Sequence, residues 1–383
     1  MNFELTEEQA LIQDTARQFA EGVLAPKAAE LDATADPEIL KDHLRQLAEL
    51  GFMGLNVSET YGGAEVGTVA FSLAITELAR ACASTAVSVS VSNMVAEVIQ
   101  AIGTDEQKQE YLPKLCSGEF YGGSFCLTET EAGSDPAAMK TRAVKDGDSW
   151  VLNGTKVWIS TAAIAGVYVV WAVTDPTAPK GKGISCFLVP TGTPGLKVGK
   201  PEQKMGQKGS GTHEVVFEDC RIPLDALMGA ENQGFKIAVT ELAGGRIGIA
   251  SLALGVAGAA LDYARDYIKE RKQFGRPLAD FQGLQWMLAD HCTEMEAARL
   301  LTMQAASLKE AGQPFAHQAS MAKLMATEKG NQACYAALQL LGANGYMKDY
   351  PLERYARDIR VTSIYEGTSE IQKVIIARNL FSN

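Results

Sequence analysis

The short motifs that announce common chemistries are missing from this 383-residue chain. No Gly-x-Gly-x-x-Gly follows a strand-like run, and neither a Walker loop nor a Gly-x-Ser-x-Gly elbow occurs, which removes standard nicotinamide dehydrogenases, kinases and α/β-hydrolases. Histidine is scarce: the four present are isolated, with no His-Glu-x-x-His, so no metal site is expected. The seven cysteines (Cys82, Cys116, Cys126, Cys186, Cys220, Cys292, Cys334) never form Cys-x-x-Cys and are odd in number. That argues against disulfides or structural zinc and suits a reducing compartment. Positive charge is also short, since 35 Lys and Arg against 46 Asp and Glu leave a net charge of −11. Such a balance repels nucleic-acid phosphates and anionic lipid. No basic residue precedes Arg17 and no apolar block opens the chain, so neither a secretory signal nor a transit peptide fits, and the expected location is cytoplasmic. Long hydrophobic runs are lacking too. Residues 81–96 are thick with Ser and Thr, 157–174 are interrupted by Ser160, Thr161 and Gly166, and 247–261 are short for the roughly 30 Å of a bilayer core. All three read as protein interior, with no membrane insertion.

What is present describes a folded chain with much to bury. Hydrophobic residues make up 46% and charged residues only 21%, below the roughly 25% of an ordinary soluble domain, which points to extensive contacts between subunits. At roughly 150 residues per domain the length allows two or three. Punctuation locates them: 7 of the 13 prolines and 14 of the 36 glycines fall between Phe120 and Asp225. The expected architecture is multidomain α+β. It has an N-terminal helical bundle over 1–119, a middle antiparallel β-barrel or sandwich over 120–230, and a C-terminal bundle of long helices over 231–383.

Local signals fill in that frame. Thr6-x-x-Gln9 and Thr104-x-x-Gln107 are capping boxes, the first opening a helix that should stop near Pro26. Asp36-Pro37 starts another helix with Leu40, Leu44, Leu47 and Leu50 on one face and Gly51 beyond its end. Further helices are expected over 70–80, 87–102 and 107–115. In the middle segment, two β-forming runs flank Asn153-Gly154, which predicts a hairpin there, and 167–173, 184–189 and 214–217 add strands. Absence of intervening helices excludes a dinucleotide-binding Rossmann unit. Helical periodicity then returns over 247–261, 284–308 and 317–341.

Four polar patches stand out from these apolar surroundings. Phe125-Cys126-Leu127-Thr128-Glu129-Thr130-Glu131-Ala132-Gly133-Ser134-Asp135 is a strand running into a hydroxyl-rich turn, readable as a plain Asx or Ser turn or as a set of neutral donors for a polar ring. Trp158-Ile159-Ser160 places an indole two residues from a hydroxyl, either a core Trp or a platform for a planar cofactor. Gly244-Gly245-Arg246, with Arg271 to Gly275 some way on, offers an arginine among small residues that needs a carboxylate or phosphate partner. Ile364-Tyr365-Glu366-Gly367-Thr368-Ser369-Glu370-Ile371-Gln372 holds a lone carboxylate before a Ser/Thr-capped helix. Glu366 is there either a solvated loop residue or a base whose pKa apolar neighbours raise.

Taken together, in this order and spacing, the patches resemble the acyl-CoA dehydrogenase family of flavoenzymes, over essentially the whole chain. The resemblance implies a helical, β, helical fold, a homo-oligomer that is usually a tetramer, and FAD held where domains and two subunits meet. It implies that Phe125, Cys126, Leu127, Thr128, Ser134, Trp158, Ile159 and Ser160 surround the flavin ring, joined by Thr368, Ser369 and Glu370. Arg271, Phe274, Gln282, Gln339, Leu340, Leu341, Gly342 and Ala343 would reach the pyrophosphate and adenosine of FAD from a neighbouring subunit. Ser134, Ala243, Gly244, Gly245, Arg246 and Gly367 would line the acyl-CoA channel, and Glu366 matches the catalytic base. Some members carry that glutamate just before the arginine of the Gly-Arg segment; here that position is Gly245. Thr130-Glu131 stand where Pro-Gly is common, and Ala343 replaces a second glycine.

The chemistry so implied is removal of the α-proton by Glu366 with transfer of the β-hydride to flavin N5, giving a trans-2-enoyl-CoA, and delivery of electrons to electron-transferring flavoprotein. Residues Gly245 to Ser251 and Cys82 to Thr85 look most like the short-chain, butyryl-CoA-type subclass. Branched, cyclic and medium-chain acyl-CoA substrates, and an oxygen-reactive oxidase, remain alternatives. Because CoA and FAD are polyanions and the chain is acidic, Arg246 and Arg271 are expected to face ligand rather than solvent.

Overall fold

The computed structural model describes residues 4–381. Met1, Asn2 and Phe3, at the start where no signal or transit peptide is expected, and residues 382–383 of the third segment lie outside the described residues. Thr6 caps α1 (Glu7–Phe19) with the full reciprocal box. The expected stop at Pro26 does not occur. A π-helical turn, Ala20–Leu24, carries the chain into α2 (Ala25–Thr34), and Pro26 sits in the first turn of α2, where a missing N–H costs least. Asp36 caps α3 (Pro37–Glu49), which buries Leu40, Leu44 and Leu47, while Leu50 falls at the C-cap and is 47% exposed. The first segment closes with α4 (Gly67–Ala81), α5 (Ala83–Ile102) and α6 (Asp105–Cys116), the last opened by the Thr104 box.

Eight strands make the middle sheet: β1 (Gly123–Cys126), β2 (Arg142–Asp146), β3 (Ser149–Ser160), β4 (Val167–Val173), β5 (Ile184–Pro190), β6 (Leu196–Pro201), β7 (Thr212–Pro223) and β8 (Leu227–Met228). Their order is β6-β7-β3-β2-β4-β5-β8 with β1 beside β4, an open path rather than a closed barrel. Most pairs are antiparallel, but β1 and β2 each pair parallel with β4. β4 is buried on both faces: Val167, Val169 and Trp171 meet Val95 and Ile99 of α5, whereas Tyr168 and Val170 meet Trp150 and Phe217 across the sandwich.

The Asn153-Gly154 hairpin is a correction. β3 runs straight through this dipeptide, and the turn lies instead at Gly147 between β2 and β3. Asn153 and Gly154 form a bulge against β7, with the Asn153 side chain bonded both ways to Asp219. Gly154 is needed because its φ is 151° and a Cβ would come within 2.4 Å of Thr141 Oγ1. The same tolerance of unusual φ that favours a turn also serves a bulge, so the dipeptide alone does not choose.

The C-terminal segment comprises α7 (Gly234–Glu270), a short ribbon of β9 (Lys272–Gln273) and β10 (Arg276–Pro277), α8 (Gln282–Glu310), α9 (Ala316–Leu340), α10 (Ala343–Tyr346), α11 (Leu352–Arg360) and α12 (Ser369–Phe381). α7 is the axis of the molecule. Its Leu252 and Val256 share a core with Ile75 and Leu78 of α4 and Ala322 and Ala326 of α9, so both helical ends form one body around the sheet. α5 and α7 are long and apolar enough to cross a membrane by length and composition, yet 78% of the most apolar window of each is buried inside the protein.

Candidate active site

A cavity of about 580 Å³ opens where the sheet meets the C-terminal helices. Thr128, Ser134, Trp158 and Ser160 form its sheet wall, Lys204, Gln207 and Ser210 come from the loop before β7 and Thr212 from the first position of β7, and Ile364 to Thr368 close the far side. Beneath the sheet wall lies a buried ion pair. Lys156, with no exposed area, donates to Glu129 Oε1 at 2.8 Å and to the Leu127 carbonyl at 3.0 Å. Glu129 in turn accepts from the Lys140 and Thr141 backbone N–H groups at 2.6 and 3.0 Å. All partners are satisfied, so the 127–141 loop is tied to β3 without Pro-Gly at its tip. A second irregularity, between Lys156 and Ile159 on β3, puts Trp158 at φ 56° and leaves its indole 58% exposed on the cavity wall. A core role for Trp158 is thereby excluded.

Across the cavity, Glu366 also has a left-handed backbone, φ 51°. Its Oε2 is shielded from solvent and has no hydrogen-bond partner. Burial pushes the carboxyl up to about 7, opposed by the positive charges of Lys323 and Arg246. The carboxylate rests on α7 at Gly245, where a Cβ would stand 2.4 Å from Oε2 and 2.8 Å from Met94 Sδ. Arg246 is 5% exposed, donates from Nη1 to Ser320 Oγ at 3.4 Å, and leaves Nε unpartnered. Burial lowers its pKa while Glu366 supports the charged form. Lys323 of α9 is fully buried and donates to the Gly367 carbonyl at 2.7 Å. Thr368 caps α12, its Oγ1 accepting from the Ile371 N–H at 3.3 Å.

The structure therefore gathers Thr128, Ser134, Trp158, Ser160, Glu366, Gly367 and Thr368 around one cavity, with Gly245 and Arg246 directly behind Glu366. Other named residues point elsewhere. The Phe125 ring packs on Trp171 with centroids 4.2 Å apart, and Cys126, Leu127 and Ile159 turn their side chains into the core. Ala243 is buried, and Gly244 faces Lys309 and Glu97. Ser369 is buried and donates to Glu328, while Glu370 is exposed at the start of α12. Arg271 lines a separate hollow of about 480 Å³ with Gln339, Leu340, Leu341, Gly342 and Ala343. Arg271 is exposed on this chain, unlike Arg246, so only one of the two arginines is removed from solvent by its own subunit. Phe274, 91% exposed, and Gln282 line neither cavity.

Sequence reasoning missed Lys156, Lys204 and Lys323. Lys204 donates to the Gln207 and Ser210 carbonyls and to Thr212, and burial pushes it down to about 8. The available signal was position: Lys156 falls on an inward site of β3, and Lys323 interrupts a buried helix stripe of Ala319, Ala322 and Ala326.

Models of the acyl-CoA dehydrogenase N-terminal, middle and C-terminal domains match residues 6–119, 124–220 and 232–381. The chain is 46% identical to the acryloyl-CoA reductase (NADH) of Anaerotignum propionicum, covering 99% of this chain and 96% of that protein. It is 45% identical to the short-chain specific acyl-CoA dehydrogenase of Clostridium acetobutylicum over 100% of both. Among solved structures, butyryl-CoA dehydrogenase from Megasphaera elsdenii superposes with a TM-score of 0.96 at 39% identity over 100% of both chains. A chain in the structure of the electron transferring flavoprotein of Acidaminococcus fermentans gives 0.97 at 42% identity, again over 100% of both.

Proposed function

Because this chain belongs to the acyl-CoA dehydrogenase family, we propose that it oxidises a short-chain acyl-CoA to the trans-2-enoyl-CoA, with FAD as cofactor, Glu366 as base and electron-transferring flavoprotein as electron outlet. One observation carries the reading: a partnerless, desolvated carboxylate faces the cavity whose other wall is an exposed indole among neutral hydroxyls. That wall fits a flat ring with polar edges, since Thr128 and Ser160 can bond its carbonyls and nitrogens while Trp158 covers a face. Arg271 and Gln339 to Ala343 would hold the distal phosphates and adenosine of a flavin shared with a second copy.

Bound there, the flavin supplies a two-electron acceptor for the β-hydride. The chain's own groups prepare the other half of the reaction. Glu366 takes the α-proton, and with its pKa raised to about 7 it is a far stronger base than a solvated carboxylate near 4.3. Substrate entering the cavity displaces water from the carboxylate and strengthens this effect. The same groups serve the reverse reduction, and one 46% relative is named as a reductase, so the electron partner sets the direction. A reducing, cytoplasmic setting agrees with seven free cysteines, six of them buried.

The test is anaerobic mixing of flavin-loaded protein with acyl-CoAs of about four to twelve carbons, branched and cyclic ones included. Bleaching should be fastest with the shortest straight chains, and Glu366→Gln should slow it by at least about 10²-fold. Retained bleaching in Glu366→Gln would remove the assignment of the base. Rapid reoxidation by air with product bound would replace dehydrogenase by oxidase.

A further inference from the structure

We propose that Lys323 is the positioning residue of the catalytic carboxylate: its ammonium pins the Gly367 carbonyl and, with Arg246, provides the positive charge against which Glu366 ionises. This rests on the reading of Glu366 as base. Lys323 has no exposed area and sits in a buried helix stripe whose other members are small and uncharged, Ala319, Ser320, Ala322, Ala326 and Thr327, so a simple packing role would be filled more cheaply by an apolar side chain. Its Nζ donates to the Gly367 oxygen at 2.7 Å. Gln372 Nε2 reaches the same oxygen at 2.9 Å and the Glu366 carbonyl at 3.3 Å. Donors thus converge on two consecutive carbonyls of a turn that is left-handed at both residues, φ 51° at Glu366 and 89° at Gly367. That conformation is disfavoured for a glutamate and persists only where the surroundings hold it. One turn earlier on α9, Ser320 accepts from Arg246, so the same helix face organises both cations.

The remaining charges around this group do not replace Lys323. Glu328 on α9 accepts the Ser369 hydroxyl and Glu370 is exposed at the start of α12; both are negative and support the charged form of Lys323, so neither supplies positive charge to Glu366. Tyr365 is half-buried, and desolvation of its hydroxyl, which accepts from Gln207, pushes its pKa up and keeps it un-ionised. Lys204, Arg357 and Arg360 line the cavity but are engaged with the Gln207 and Ser210 carbonyls, with Asp32 and Glu353, and with Ser363 respectively. The influence is mutual: burial pushes Lys323 down to about 8, and Glu366 is the foremost group holding it up. Neutralising Lys323 therefore leaves Glu366 protonated to higher pH.

The experiment uses flavin-loaded Lys323→Gln, which keeps a donor but loses the charge, and Lys323→Arg, which keeps the charge. Flavin reduction is followed by rapid mixing from about pH 5.5 to 9. Ionisation of Glu366 is read independently from the carboxyl infrared signal that Glu366→Gln protein lacks. In Lys323→Gln both midpoints should move up by about one pH unit, a roughly tenfold loss of rate below the new midpoint. In Lys323→Arg both should stay at or below the wild-type value. Unmoved midpoints in Lys323→Gln with only a lower melting temperature would overturn the proposal. If Lys323→Gln does not fold, an upward shift in Lys323→Arg would overturn it equally. If Glu366→Gln bleaches normally, it is the assignment of the base that fails, which separates the two outcomes.

Discussion

Glu366 and Gly245 are 121 positions apart in sequence, 366 less 245, yet a side chain starting at Gly245 would occupy the point where the Glu366 carboxylate lies. On the proposed reading of Glu366 as base, the two positions at which the resemblance places that glutamate converge physically: the same spot can be reached from α7 or from the turn before α12. It also makes Gly245→Ala a sharp probe. The added methyl requires the carboxylate or Met94 to move, and a displacement of about 1 Å at a reacting group can cost about 10²-fold in rate. Gly245→Ala should therefore fold and hold flavin normally, shown by an unchanged melting curve and visible spectrum, while acyl-CoA-dependent bleaching slows by about that factor.

At the scale of elements, β3 and the loop that follows β1 work as one piece. Two bulges interrupt β3, at Asn153-Gly154 and before Ile159; the second turns Trp158 outward, and the Glu129–Lys156 pair locks the loop carrying Thr128 to the same strand. Breaking a buried pair by removing one partner costs about 3 to 5 kcal/mol, because the other charge stays desolvated. Lys156→Met should lose stability of that order in denaturant unfolding, and adding Glu129→Gln should recover part of it, giving a double-mutant coupling energy well above zero. The capping boxes of α1 and α6 and the Asp36 cap were legible because each depends on side chains within a few residues. The π turn at Ala20–Leu24 and the bulge at Asn153-Gly154 were not, because there the same local chemistry is compatible with two geometries and packing chooses between them.

On the scale of the whole molecule, those residues expected to hold one cofactor that do line a cavity divide between two on a single chain, one beside Glu366 and one beside Arg271. Large apolar side chains lie uncovered on the C-terminal helices and near the second cavity, among them Phe274 at 91%, Trp286 at 64% and Tyr346 at 77% exposure. A second copy that brings its Arg271 hollow to the Glu366 cavity would unite the two sets. Arg271→Glu should accordingly lower flavin content without unfolding the subunit. Dilution should release flavin and dissociate the oligomer in parallel, as measured by fluorescence and mass photometry. Flavin retained by a dissociated subunit would show that one chain suffices.

The sequence by itself determined the three-part organisation of helices, sheet and helices, and singled out the four polar patches from which residues reach the two cavities or pack behind Glu366. Both follow from periodicity, punctuation and short capping patterns acting over a few residues. Tertiary structure decided which of those patches meet and what state they are in. Burial of Glu366 against Gly245, the cations supplied by Arg246 and Lys323, and the outward Trp158 all depend on contacts between segments more than 40 residues apart. Desolvation and Coulomb interaction depend on distance in space, which residue order does not specify.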